Sequence, residues 1–173
     1  FPESLDLQKE AYTRLSFEEF FLFQLPLVLR KLKRKDKLGI AHKVDGTLVT
    51  DFISGLPFQL TSAQGKVIAE IKSDMALSRP MQRLLQGDVG SGKTVVATAA
   101  SLMAIQGGYQ AALMVPTEIL AWQHFEKIRS QMSEIRSQKK QITVSLLTSS
   151  TAKKERDKIC QDIKEGSIDL LIG

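Results

Sequence analysis

The chain has 173 residues, 43% hydrophobic and 25% charged. That is the composition of a globular protein, and no apolar run approaches the ~20 residues a membrane-spanning helix needs. A net charge of +5 and a pI near 9.4 permit a polyanionic partner without naming one. Cys160 is the single cysteine, which excludes an internal disulfide and makes a reducing cytoplasm the expected location.

Residues 1–36 read as helical. Leu7, Ala11 and Leu15 share one helical face, and Ser16-Phe17-Glu18-Glu19 has the form of a capping box, so a second helix is expected to begin at Phe17. Phe17, Phe20, Phe21, Leu25, Val28, Leu29 and Leu32 give that helix a broad apolar surface, which Pro26 should kink or end. Such a hairpin cannot bury itself and should pack on a neighbouring domain. Phe1-Pro2-Glu3 has neither the basic start nor the apolar core of a signal peptide, and no initiator Met precedes it, as expected of a piece of a longer protein. Arg30, Lys31, Lys33, Arg34, Lys35 and Lys37 form a basic run that reads either as a phosphate contact or as a solvated helix end favoured by the helix dipole. Asp45-Gly46 suggests a hairpin turn within a linker that ends near Leu56.

From Pro57 the pattern is regular. Thr61 can cap a helix over 62–77, with Ala63, Val67, Ile71 and Met75 at i, i+4 spacing. A short strand over 83–86 runs into Gly87-Asp88-Val89-Gly90-Ser91-Gly92-Lys93-Thr94, which fits G-x-x-x-x-G-K-[ST]. In this pattern successive backbone N–H groups surround a phosphate, and the glycines admit the close approach. Lys93 reaches the β- and γ-phosphates, Thr94 holds Mg²⁺, and the helix behind points its positive end at the anion. An Ala-rich helix then runs to Gly107-Gly108. Strands are expected over 111–115, 142–147 and 168–172, and helices over 118–132 and 151–164. Strands alternating with helices predict a parallel α/β sheet. Pro116-Thr117-Glu118 closes a strand at the sheet edge where α/β proteins bind ligands, although Thr117 as a plain helix cap is the simpler reading.

These segments together resemble the RecG family of superfamily 2 DNA helicases. Leu56-Pro57-Phe58-Gln59-Leu60-Thr61-Ser62-Ala63-Gln64 resembles its Q-motif region, and Arg83-Leu84-Leu85-Gln86 with the phosphate loop resembles motif I. Ala112-Leu113-Met114-Val115-Pro116-Thr117-Glu118-Ile119-Leu120-Ala121 resembles motif Ia, and Leu146-Leu147-Thr148-Ser149-Ser150 resembles motif Ib. Leu15-Ser16-Phe17-Glu18-Glu19-Phe20 is similar to the helical segment that joins the family's wedge domain to its motor. The likeness spans nearly the whole chain and is weakest over 37–55. Trp122, Ser149 and Pro26 depart from the family pattern.

The resemblance implies a RecA-like P-loop sheet over 57–173, preceded by a helical linker over 1–56. It implies an ATP- and Mg-dependent helicase or translocase acting as a monomer on branched double-stranded DNA, away from membranes. Residues 87–94 would bind the nucleotide, with Gln64 reading adenine, a role that competes with Gln64 closing its own helix cap. Thr117, Glu118, Thr148 and Ser149 would approach the DNA backbone. It further implies an acid box and a second motor domain beyond Gly173. Asp169 does not replace that acid, since it starts its strand, and the chain alone is therefore expected to be catalytically inactive. A transcription–repair coupling translocase and a non-motor P-loop switch are the alternatives. Gln86 and Ser91 favour the RecG pattern over the first, and motif Ia disfavours the second.

Overall fold

The computed structural model describes residues 3–35, 37–134 and 141–173. The chain divides into two compact units, Phe1–Gly39 and Ile40–Gly173.

The first unit is one helix, α1 (Leu5–Lys35). Ser4 accepts a hydrogen bond from the Leu7 N–H (3.3 Å), and Asp6 complements the dipole in the first turn. The expected break at Phe17 does not occur. Arg14 Nε bonds Glu18 Oε1 at 3.1 Å across it, and the Phe17 and Phe21 rings stack 6.1 Å apart, so the i, i+4 pairing of a continuous helix wins over the capping signal. Pro26 lies inside the helix rather than ending it. Phe17, Phe20, Phe21 and Leu22 are all more than half exposed. Of the basic run, Arg30, Lys31 and Lys37 are exposed, while the side chains of Lys33, Arg34 and Lys35 lie outside the described residues.

The second unit is α/β, a three-stranded parallel sheet flanked by helices. It begins at Ile40, well before the linker boundary read at Leu56. The expected hairpin at Asp45-Gly46 is absent, and the chain instead forms α2 (Leu48–Ser54). Leu48, Val49, Phe52 and Ile53 have helical spacing, and Phe52 is buried to 1% exposure in the core. His42 N–H donates to the Met75 carbonyl (2.9 Å), and Lys72 Nζ pairs with Asp45 Oδ1 (3.1 Å). These contacts tie residues 42–45 to α3 (Ser62–Met75).

α3 begins with the predicted capping box: Thr61 Oγ1 accepts from Gln64 N–H (3.2 Å), and Gln64 Oε1 accepts from Thr61 N–H (2.9 Å). Its buried residues are Ile68, Ile71 and Met75, while Ala63 faces out. The expected strand over 83–86 is irregular chain that joins no sheet among the described residues. It is anchored by Arg83, which forks onto Asp74 (Nη2–Oδ2 2.7 Å, Nε–Oδ2 2.9 Å) and Glu70, and by Met81 and Leu85 against the core. α4 (Lys93–Gln106) is the central helix. Ala99 and Leu102 are wholly buried, and α2, α3 and β1 pack on it.

The strands are β1 (Ala111–Leu113), β2 (Val144–Leu146) and β3 (Leu170–Ile172), in the order β1-β3-β2, all parallel. Leu113 and Leu146 both pair with Ile172, so the three strands end at one edge. The central strand is the most buried, with Leu170 and Ile172 in the core. α5 (Glu118–Glu134) and α6 (Lys153–Lys164) supply the crossovers, and α5 packs on β2 and β3 through Ala121, Ile128 and Met132. Asp169 stands at the entry end of β3, where Oδ2 accepts from Thr143 N–H (2.9 Å). That is the end opposite Gly173, as its sequence position predicts.

Candidate nucleotide and nucleic-acid interfaces

The loop over residues 87–94 closes on α4. Gly90 and Gly92 both have φ +83°, the left-handed region that costs a residue with a Cβ. Gly92 is the N-cap residue, and the Val95 and Val96 N–H groups both donate to its carbonyl (3.0 and 3.3 Å). The Lys93 and Thr94 N–H groups precede those bonds and donate to no acceptor among the described residues, as expected of the first turn of a helix. Ser91 N–H donates to the Asp88 carbonyl (3.2 Å), and Val89 at the loop tip is fully exposed.

Lys93 Nζ donates to the Gly87 and Asp88 carbonyls (2.8 and 2.6 Å). The ammonium is thus held over the loop's mouth by two neutral acceptors, a pairing that an anion would outcompete. Thr94 is half-buried, and its hydroxyl bonds to no side chain or carbonyl among the described residues. Gln64 meets the same loop: its Nε2 donates to the Ser91 carbonyl at 2.8 Å. A Cβ on Gly92 would lie 2.3 Å from that Nε2, so the Gln64 amide can sit against the loop only because residue 92 is a glycine. Among the described residues no group of three or more His, Cys, Asp or Glu side chains could hold a metal ion.

The second site is the edge where the three strands end. Val115 N–H donates to the Gly173 carbonyl (2.8 Å) and Leu147 N–H to that of Ile172 (2.8 Å), which brings the turns after β1 and β2 together. They border a cleft of about 430 Å³ that includes Thr117, Glu118, Thr148, Ser149, Arg156 and Gly173. Thr117 Oγ1 accepts weakly from Leu120 N–H (3.4 Å), so it does cap α5. Glu118 Oε1 accepts from the Ser149 hydroxyl and from Ser150 N–H (2.8 Å). The Ser149 bond first, and the Ser150 bond next, hold the Glu118 carboxyl below the ordinary glutamate range. The turn also fastens itself: Thr148 N–H donates to Thr151 Oγ1 (3.0 Å), and the Thr148 and Ser150 hydroxyls meet at 2.9 Å.

All four residues read as a nucleic-acid face therefore line one cleft. The loop residues and Gln64 form a second group. Sequence reading missed Arg156, the cation of the cleft, and the Ser150 N–H. The run Thr148-Ser149-Ser150-Thr151 carried the signal for the latter, since consecutive hydroxyl residues before a helix mark a self-bonded turn.

The sequence model of the DEAD/DEAH box helicases matches residues 61–173. The chain belongs to the DEAD/DEAH box helicase family. Within this family it is 43% identical over its whole length to the ATP-dependent DNA helicase RecG of Thermotoga maritima, covering 22% of that protein. It is 46% identical over 99% of its length to the RecG of Bacillus subtilis, covering 25% of it. The solved structure of RecG bound to a three-way DNA junction superposes on all of the chain with a TM-score of 0.85 at 43% identity, and the chain covers 23% of it. The chain thus spans about a quarter of the length of the relatives it matches. These matches agree with the P-loop α/β fold and with the RecG resemblance of the motifs. Among the described residues no helix is long and apolar enough to cross a membrane.

Proposed function

We propose that this chain is the nucleotide-binding part of an ATP-dependent DNA helicase of RecG type, which remodels branched double-stranded DNA in repair and recombination. The observation that carries the reading is Lys93, poised at the mouth of a glycine loop and held there by the Gly87 and Asp88 carbonyls. The loop fits a triphosphate: the Lys93 and Thr94 N–H groups and the Lys93 ammonium would take phosphate oxygens, and Thr94 would ligate the accompanying Mg²⁺. Bound ATP and its metal supply the energy and the electrophile. The protein's own residues position the phosphates and neutralise charge. The unit over residues 1–39 would join a wedge domain to the motor, with residues 40–56 packed into the motor unit, and Thr117, Glu118, Thr148 and Ser149 would line the face that meets the DNA backbone without reading bases. The full protein is proposed to act as a monomer in the cytoplasm.

The test uses the full-length protein that contains this chain. Lys93→Ala should abolish junction-stimulated phosphate release while circular dichroism and the thermal midpoint stay unchanged. The chain alone should bind nucleotide without turnover, since an arginine finger supplied from elsewhere is worth about 10³–10⁵ in rate in related NTPases. Full activity in Lys93→Ala would refute the assignment of the loop.

A further inference from the structure

We propose that Glu118 is an internal competitor for DNA: its carboxylate occupies the two donors, the Ser149 hydroxyl and the Ser150 N–H, that a backbone phosphate on this face would take. The inference rests on the reading that the cleft at the strand ends meets DNA.

Three observations carry it. First, the two donors converge on one oxygen, Oε1 of Glu118, which reaches them from another element 31 and 32 positions away. A hydroxyl and a backbone N–H aimed at a single anionic oxygen is how proteins hold phosphate oxygens without reading bases. The seat is thus built for an anion and is filled by the chain's own. Second, the turn does not need Glu118 to hold its shape. Thr148 N–H to Thr151 Oγ1 (3.0 Å), Thr151 N–H to the Thr148 carbonyl (3.3 Å) and the Thr148–Ser150 hydroxyl pair (2.9 Å) close it locally. A strut would be redundant there. Third, Glu118 is ionised at neutral pH, since the same two bonds favour its charged form. A carboxylate and a phosphate cannot share two donors, and at contact distance they repel. Arg156, exposed on the same cleft, makes no ion pair among the described residues and can accompany whichever anion is seated. Glu118 therefore sets how readily the turn accepts DNA: it withholds the seat until the phosphate displaces it.

The experiment measures affinity for a fluorescein-labelled three-way junction by anisotropy, at fixed salt, in the full-length protein. Glu118→Ala, which vacates the seat, should bind more tightly by about tenfold, the scale of one hydrogen bond to a charged group, and the isosteric Glu118→Gln by less, because its amide oxygen still accepts from both donors but without the charge. Adding Ser149→Ala to Glu118→Ala should remove most of that gain, because the vacated seat has lost a donor. A gain that survives Ser149→Ala would show simple loss of a negative charge and overturn the competitor role. Weaker or unchanged binding in Glu118→Ala, with the thermal midpoint intact, would overturn it too and make Glu118 a strut or a spectator. The underlying DNA reading fails separately, if Thr148→Val with Ser149→Ala leaves junction affinity unchanged in the otherwise native protein.

Discussion

Replacing Gly92 by alanine tests how the phosphate loop is joined to α3. Alanine at φ +83° carries a left-handed penalty of about 1–2 kcal/mol. Its Cβ would also stand 2.3 Å from Gln64 Nε2. That atom is the far end of a flexible side chain, so the amide swings away instead of forcing the backbone. The cost is then its two hydrogen bonds, to the Ser91 carbonyl (2.8 Å) and from Thr61 N–H (2.9 Å). Each is worth about 0.5–1.5 kcal/mol. Gly92→Ala should therefore destabilise by about 2–5 kcal/mol in the native background, but only by the backbone share, about 1–2 kcal/mol, when Gln64 is already alanine. Urea denaturation of the four proteins of this cycle gives a coupling of about 1–3 kcal/mol if the geometry holds. Costs that add to within about 0.5 kcal/mol would refute the contact between Gln64 and the loop.

Two further outcomes are expected. Phe52→Ala should lower stability by about 3–5 kcal/mol with an unchanged denaturant slope, because Phe52 is a core side chain at 1% exposure. A loss under about 1 kcal/mol would mean that residues 40–56 are a linker after all. Trp122 follows Glu118 by one helical turn and is 58% exposed, so the emission that Trp122→Phe removes should be quenched by junction DNA, and unchanged emission would place the DNA elsewhere.

What was legible in the sequence is what short-range chemistry decides. The glycine turn before α4, the Thr61–Gln64 cap and the apolar strands each rest on neighbours within a few positions: the cap stands as read, and the strands lie inside the expected ranges, shortened to Ala111–Leu113, Val144–Leu146 and Leu170–Ile172. The errors arose where distant packing chooses between local options. Ser16-Phe17-Glu18-Glu19 is the exception, decided locally: it can cap a helix, but the i, i+4 pairs Arg14–Glu18 and Phe17–Phe21 continue one, and the chain follows the pairs. Residues 48–54 fall in a stretch that reads as linker, yet packing on α4 and burial of Phe52 stabilise a seven-residue helix there. The segment over 83–86 has strand chemistry but no ladder partner among the described residues, so it forms no strand. Of the cleft, the four residues of motifs Ia and Ib could be read, but the bond between Glu118 and Ser149 joins turns 31 positions apart and appears only once β3 sets them side by side.

Gln64 shows why a site can carry two readings that do not compete. Its amide has two donor hydrogens and two acceptor lone pairs. The cap uses one lone pair for Thr61 N–H, and the loop uses one hydrogen for the Ser91 carbonyl. One of each remains, the complement that the N6 amino group and N7 of adenine require. A base taking that remaining pair would be read by a side chain already fixed at both ends, so little rotamer entropy would be lost on binding. The same two bonds that make Gln64 a helix cap would then make it a preorganised reader, and Gln64→Glu, which keeps the acceptor and loses the donor, should weaken nucleotide binding while leaving the Thr61 bond in place.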